Sequence, residues 1–123
     1  IYEFPAGLVE QGEAMNDAAV REFHEETGLH LKVIPADDMY TKPRFTTVGM
    51  TDEACGMIYG YASGVPDNRF EESSEDIQVV LADKKEVRRI LKEENVAMMC
   101  AYMLLHFLKS EGDPLGFVEM QEK

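Results

Sequence analysis

The strongest constraint in this chain of 123 residues is a segment near its start, in which two glycines enclose an acidic helical stretch. The segment runs from Gly7 to Leu29 and reads GLVEQGEAMNDAAVREFHEETGL. Residues from about Asn16 to Thr27 have a helical pattern, with Asn16 as the expected N-cap and Gly28 as the expected stop. The sequence therefore predicts a loop, a helix and a turn in immediate succession.

Three glutamates share one side of that predicted helix. At about 100° per residue, Glu22, Glu25 and Glu26 fall within one arc of about 100°. A different face is expected to pack inward and carries Ala19, Val20, Phe23 and Thr27. Carboxylates at this spacing repel one another, and the adjacent Arg21 cannot neutralise three of them. Hard divalent cations can, because they prefer oxygen ligands. The alternative for this stretch taken alone is a solvated acidic surface.

The complete pattern resembles the Nudix box, G-x5-E-x7-R-E-U-x-E-E-x-G-U, in which U is usually aliphatic. Its seven fixed positions are all matched, by Gly7, Glu13, Arg21, Glu22, Glu25, Glu26 and Gly28. Phe23 departs from the pattern, since Leu or Ile is usual there. The resemblance implies an α/β fold, an α/β/α sandwich with a mixed sheet whose N-terminal strands are absent from this sequence. We expect residues 1–123 to form one Nudix hydrolase domain that is incomplete at its N-terminus.

The resemblance also implies a role for each matched residue. It assigns metal binding to Ala6 through its backbone carbonyl, and to Glu22, Glu25 and Glu26 through their carboxylates. Arg21 corresponds to the residue that orients the glutamates, with Glu13 as its partner. Gly7 and Gly28 correspond to residues kept for backbone geometry. The cofactor that this implies is Mg²⁺, with Mn²⁺ as an alternative.

Features outside the box resemble the branch that hydrolyses ADP-ribose and nucleotide sugars. These are the approach YEFPAGLVEQGE, Pro43 downstream of the box, and the stretch GMTDE at residues 49–53. In that branch a late acidic loop supplies the catalytic base or a further metal ligand. The matching acids here are Glu71, Glu72 and Glu75, and which of them is the base stays open. The implied reaction is Mg²⁺-dependent hydrolysis of ADP-ribose to AMP and ribose 5-phosphate, with Arg21 and Glu25 also at the catalytic site.

Three alternatives remain at this point. The substrate of such a hydrolase could instead be another nucleotide sugar, a dinucleoside polyphosphate or a nucleoside triphosphate. A Nudix module could sense ADP-ribose without cutting it, although such modules usually lose box acids and this box is intact. An isomerase built on a Nudix-like domain would need a catalytic cysteine, for which Cys55 is a candidate.

Composition restricts the partners. The net charge of −12, from 24 acids against 12 Lys and Arg, argues against a nucleic-acid partner, which needs a basic face. No apolar run approaches the roughly 18 residues that span a bilayer, so we expect no membrane partner. Cys55 and Cys100 are isolated, which favours a reduced, cytoplasmic location. The expected partner is a small nucleoside diphosphate derivative, and the resemblance leaves room for a homodimer.

The rest of the chain is expected to alternate strands and helices. Extended segments are predicted at residues 29–34, 39–47, 55–62 and 77–81. Two helices are predicted to begin after caps at Asp83 and Asn95. The second has an apolar, methionine-rich face that we expect in the core, made of Val96, Met99, Met103, Leu104, Phe107 and Leu108.

Overall fold

The computed structural model describes residues 1–67 and 78–118, and its helices and strands confirm the α/β class. The helices are α1 Met15–Thr27, α2 Asp38–Thr41, α3 Lys84–Glu93 and α4 Met98–Lys109, followed by a 3₁₀ turn at Gly116–Val118. The strands are β1 His30–Val33, β2 Arg44–Phe45, β3 Ala54–Cys55 and β4 Gly60–Ser63. Within these described segments, no helix has both the length and the apolar character needed to cross a bilayer.

Helix α1 ends where the sequence predicts and begins slightly earlier. Gly28 has a left-handed backbone with φ of 74°, and its N–H donates to the His24 carbonyl at 2.8 Å. The prediction that Asn16 is the N-cap is wrong. The residue before the helix is Ala14, whose side chain makes no capping hydrogen bond. The Ala18 N–H already donates to the Ala14 carbonyl at 3.0 Å, so Asn16 lies inside the first turn.

The packing face of α1 differs from the predicted one. Thr27 is buried as expected, and its hydroxyl bonds the Phe23 carbonyl and the Leu29 N–H. Val20, by contrast, is exposed, and Ala18 is buried in its place. Ala18 lies about 40° from Glu22 around the helix, so α1 is covered on its acidic side as well as on the side that contacts β1. The loop before α1 accounts for this cover, because Gly7 lies against Glu22 and the Ala6 N–H donates to Glu26.

The strands form two separate antiparallel pairs in the described residues. One pair joins β1 to β4, with His30 opposite Ser63, and the other joins β2 to β3, with Phe45 opposite Ala54. The prediction of one continuous strand over residues 55–62 is wrong, because its two ends belong to different pairs. Residues 56–59 form no regular element, and an added Cβ at Gly56 would lie 2.2 Å from Met15 Cε.

The segment 39–47 was predicted to be extended, and its first part is helical instead. The Asp37 carboxylate accepts a hydrogen bond from the Met39 N–H at 3.0 Å and so caps the short helix α2. Only Arg44–Phe45 is a strand in this region. The prediction missed α2 because a single turn is too short to produce a helical hydrophobic pattern.

The last two helices pack against each other, and one of their two predicted caps is confirmed. The Asp83 carboxylate accepts from the Glu86 N–H at 2.9 Å at the start of α3. Asn95 does not cap α4, because its carbonyl accepts from the Tyr2 N–H at 2.8 Å and the Ala97 N–H donates to the Tyr2 carbonyl at 2.9 Å. This parallel pairing with the start of the chain keeps residues 95–97 extended, and α4 begins after them.

The buried core of the described residues takes side chains from α1, from the residues just before β1 and β4, from α3 and α4, and from the 3₁₀ turn. Its apolar members are Ala18, Leu29, Tyr59, Val87, Ile90, Cys100 and Val118. The methionine-rich face of α4 is only partly in this core, because Met99 is 37% exposed while its neighbour Cys100 is buried. Residues 78–81 form no regular element, and residue 77 of that predicted strand lies outside the described segments.

Candidate functional site

Arg21 lies at the centre of a cluster of box residues on α1 and the loop before it. Its Nε and Nη2 donate to the two carboxylate oxygens of Glu13, each at 2.9 Å. Such a two-pronged contact fixes both the position and the plane of the guanidinium. Glu13 is held in turn by the Glu10 N–H, which donates to Glu13 Oε1 at 3.0 Å. The loop therefore presents Arg21 in one defined orientation.

The remaining donors of Arg21 reach two more box acids and the loop backbone. Nη1 donates to Glu22 Oε1 at 2.9 Å and to Glu25 Oε2 at 3.4 Å. Nη2 also donates to the Leu8 carbonyl at 3.1 Å, a contact that the sequence did not indicate. Since a guanidinium has five N–H donors, each donor of Arg21 has an acceptor. Arg21 thus links Glu22 and Glu25 of α1 to Glu13 and Leu8 of the preceding loop.

These contacts fix the charges of the cluster. The hydrogen bond from Arg21, together with that from the Glu10 backbone, lowers the pKa of Glu13 from 4.5 to about 2. The carboxylates of Glu13 and Glu22 raise the pKa of Arg21 above its ordinary value. At neutral pH the Glu13–Arg21 pair is therefore fully ionised.

Glu26, the remaining glutamate of the box, reaches the loop at another point. Its Oε2 accepts a hydrogen bond from the Ala6 N–H at 3.1 Å. The structure thus brings Ala6 and Glu26 together, and it brings Glu22 and Glu25 together at Arg21. All four residues with an expected metal-binding role lie on α1 or on the loop that contacts it.

The two box glycines serve different geometric purposes. Gly28 needs its left-handed φ of 74°, as the sequence suggested. Gly7 has no such backbone, yet an added Cβ there would lie 2.1 Å from the Glu22 Cδ. Gly7 is therefore explained by the close approach of a box carboxylate.

The end of α1 is covered by a residue that the sequence did not single out. The Asp67 N–H donates to the Thr27 carbonyl at 2.6 Å, and a Cβ on Gly28 would lie 2.6 Å from Asp67 Cβ. The chain continues from Asp67 towards the predicted catalytic acids Glu71, Glu72 and Glu75, which lie outside the described residues. Asp67 anchors the described chain just before them at the end of the acidic helix.

The donor chemistry of the cluster fits a hard divalent cation. Carboxylates and a backbone carbonyl are the ligands that Mg²⁺ and Mn²⁺ prefer. In residues 1–67 and 78–118, however, no three His, Cys, Asp or Glu side chains are arranged as a ready metal site. Glu22 and Glu25 instead direct an oxygen each to Arg21, so they would have to turn to share a cation.

An open cleft of about 340 Å³ lies at the start of α1. Its walls include Met15, Asn16, Pro35, Thr41, Ile58 and Tyr59. Met15 and Glu22 are two helical turns apart on the same side of α1, a separation of roughly 10 Å along the axis. The other residue of α1 that lines the cleft, Asn16, lies about 120° from Glu22 around the helix, so the cleft borders the start of α1 and is not confined to its acidic side.

Comparisons with known proteins point to one family. The model of the NUDIX domain matches residues 1–98. The chain is 35% identical over 88 residues to "Putative nudix hydrolase 2" of Caenorhabditis elegans. That match covers 67% of this chain and 38% of the relative, so the chain spans well under half of the relative's length. No solved structure matches the chain significantly. The match over most of its length shows that the chain belongs to the Nudix family.

Proposed function

We propose that this chain hydrolyses the diphosphate bond of nucleoside diphosphate derivatives with the help of a divalent cation, Mg²⁺ first and Mn²⁺ as an alternative. ADP-ribose, which would yield AMP and ribose 5-phosphate, is the first candidate substrate. The observation that carries the proposal is the Arg21 cluster, which gathers Glu13, Glu22 and Glu25 at the box loop. Solubility alone would be served as well by acids spread over the surface, without the repulsion between carboxylates gathered at one place.

The carboxylates of Glu22 and Glu26 are the principal metal ligands in this proposal, with Glu25 and the Ala6 carbonyl completing the set. The contact between the Ala6 N–H and Glu26 supports it, because it holds Ala6 beside a ligand carboxylate. Bound Mg²⁺ supplies charge that screens the diphosphate and lowers the pKa of a bound water. The glutamates hold the cation, and the fixed loop keeps their positions relative to one another.

Arg21 is the positioning residue for these carboxylates. Three of its contacts are made with Glu13 and the Leu8 carbonyl, which are not among the proposed ligands. Arg21 therefore stays in place when Glu22 and Glu25 turn towards a cation. Its charge also limits the repulsion between the two carboxylates while no cation is bound.

The general base is proposed to be Glu71, Glu72 or Glu75. The position of Asp67 supports this, since its N–H is bonded to the end of α1 and it precedes these acids by only a few residues in the sequence. A base acts in the transition state, so its removal should lower kcat more than it raises KM. Steady-state kinetics of the three single Gln variants on ADP-ribose measure this split. If all three behave like the wild type, the base lies elsewhere, with Glu25 and Glu53 as the next candidates.

The choice of a nucleotide-sugar substrate rests on the sequence around the box and on the cleft. The approach YEFPAG and Pro43 resemble the ADP-ribose branch. The cleft of about 340 Å³ at the start of α1 offers room for an organic group attached to the diphosphate. Other nucleotide sugars, dinucleoside polyphosphates and nucleoside triphosphates are the competing substrates.

The decisive experiment is a product assay over all four substrate classes, with and without Mg²⁺. Glu22→Gln and Glu26→Gln should each lower turnover by several powers of ten, because metal charge stabilises the transition state by several kcal/mol. Glu93→Gln, at an exposed acid of α3, is the matched control and should leave turnover unchanged. Metal-dependent activity at the wild-type level in both box variants would contradict the ligand assignment. A preference for triphosphates would contradict only the substrate branch.

Two other functions are disfavoured. An isomerase built on a Nudix-like domain needs a catalytic Cys and Glu and tends to depart from the strict box, which is intact here. Burial, and next the nearby Glu53 carboxylate, raise the pKa of Cys55, so this thiol is not activated as a nucleophile. A module that only senses ADP-ribose has no need of the complete acid set seen here, and it would bind ADP-ribose without releasing AMP. A homodimer and a cytoplasmic location belong to the same proposal, and sedimentation analysis tests the dimer.

A further inference from the structure

We propose that Gly7 is a positioning residue of the metal site, because its missing side chain leaves the space that the Glu22 carboxylate occupies. The inference rests on the proposed function, in which Glu22 is a metal ligand. It gives Gly7 a role that differs from the backbone freedom expected of a loop glycine.

The distances show how completely this space is used. A Cβ at Gly7 would lie 2.1 Å from Cδ, 2.3 Å from Oε2 and 2.4 Å from Cγ of Glu22. Ordinary van der Waals contact for such atoms starts at 3.4 Å. The Glu22 carboxylate therefore lies where the smallest side chain at position 7 would have to be.

Backbone conformation does not require glycine at this position. The φ angle of Gly7 is not positive, so alanine could adopt the same backbone without left-handed strain. Gly12, in the same loop, shows the opposite case. Its φ is 80°, and an added Cβ would meet nothing within 4 Å. The loop thus has one glycine for its backbone and one for the space beside a carboxylate.

The loop cannot easily move away to admit a side chain. On one side of Gly7, the Ala6 N–H is bonded to Glu26 at 3.1 Å. On the other side, the Leu8 carbonyl accepts from Arg21 at 3.1 Å. Both neighbours are thereby tied to α1, whereas Glu22 has flexible side-chain torsions. An alanine at position 7 should move the Glu22 carboxylate by about 1 Å or more, because the contact at 2.1 Å must open to 3.4 Å.

A displacement of this size should weaken cation binding without unfolding the chain. Changes to residues that orient metal ligands typically reduce metal affinity by roughly 10- to 100-fold. We expect that loss for Gly7→Ala. Gly116→Ala is the matched control, because the nearest atom to its added Cβ is Asp113 Cβ at 3.9 Å, an ordinary contact.

The test is Mn²⁺ binding to the full chain, followed by electron paramagnetic resonance of the free ion. The set contains the wild type, Gly7→Ala, Glu22→Gln, the double variant and the Gly116→Ala control, each also followed by thermal unfolding. If Gly7 acts through Glu22, the double variant should bind Mn²⁺ no more weakly than Glu22→Gln alone. Gly116→Ala should bind like the wild type, and Gly7→Ala should unfold at nearly the wild-type temperature.

The outcomes separate this inference from the proposed function. If Glu22→Gln leaves Mn²⁺ affinity unchanged, the ligand assignment itself is wrong, and the inference falls with it. If Glu22→Gln weakens binding but Gly7→Ala does not, only the inference is overturned. Additive losses in the double variant overturn it too, because Gly7 would then act through another group. A large fall in unfolding temperature for Gly7→Ala would show that the loop yields in place of Glu22, which also overturns it.

Discussion

Replacing Gly28 by alanine tests how the acidic helix is ended. Gly28 combines a left-handed backbone, with φ of 74°, and a tight contact with Asp67. An alanine forced into the left-handed region costs roughly 1–2 kcal/mol, offset by about 0.4–1 kcal/mol from the stiffer unfolded chain. The backbone conformation alone should therefore lower the free energy of unfolding by up to about 1.5 kcal/mol.

The contact with Asp67 adds to this loss. The new Cβ would lie 2.6 Å from Asp67 Cβ and 2.9 Å from its backbone N and O, so the backbone of Asp67 must shift. That shift breaks the hydrogen bond from the Asp67 N–H to the Thr27 carbonyl, which is 2.6 Å long and worth about 1 kcal/mol net. Together, the two effects should lower the free energy of unfolding of Gly28→Ala by roughly 2 kcal/mol.

Gly112→Ala separates the two contributions. Gly112 has a φ of 69°, close to that of Gly28, and an added Cβ would meet nothing within 4 Å. Urea unfolding of both variants measures the free energy of unfolding, and Gly28→Ala should lose about 1 kcal/mol more than Gly112→Ala. Equal losses would refute the argument that Asp67 packs tightly against the end of α1.

Two further predictions concern single side chains. Glu13 has a pKa lowered to about 2, so its pairing with Arg21 should stabilise the fold fully above pH 4.5 and lose this effect as the pH falls towards 2. The difference in urea midpoint between the wild type and Glu13→Gln should therefore shrink over that window, and a constant difference would contradict it. Tyr59→Phe should cost about 1 kcal/mol, since the buried Tyr59 hydroxyl donates to the Tyr40 carbonyl at 3.0 Å. The exposed Tyr102→Phe is its control in the same unfolding assay and should cost nothing measurable.

Features set by neighbouring residues could be predicted from the sequence. Gly28 ends α1 and Asp83 caps α3, because each depends only on its own helix turn. The family could also be predicted, since the spacing of the box residues is itself the evidence.

Features set by distant contacts could not. Asn95 has a side chain suited to capping, but the pairing of Tyr2 with residues 95–97 keeps them extended, so α4 begins only at Met98. Residues 55–62 have the composition of one strand, but their two ends pair with different strands, β2 and β1, that lie elsewhere in the sequence. The need for glycine at position 7 could not be predicted either, because it depends on where the carboxylate of Glu22, on α1, is placed.

The bridge between Tyr2 and Val96 has a consequence for the order of folding. It joins residues near the two ends of the segment that matches the family, residues 1–98. Closing a loop of that length costs about 4 kcal/mol of chain entropy beyond a constant. The two backbone hydrogen bonds of Tyr2, worth about 1 kcal/mol each, do not offset this. We therefore expect the pairing of Tyr2 with residues 95–97 to form late, after the intervening elements have packed. Because Ala6 and Gly7 follow closely behind Tyr2, we expect α1 to become helical before its loop is in place, and the proposed cation-binding arrangement to be among the last parts to form.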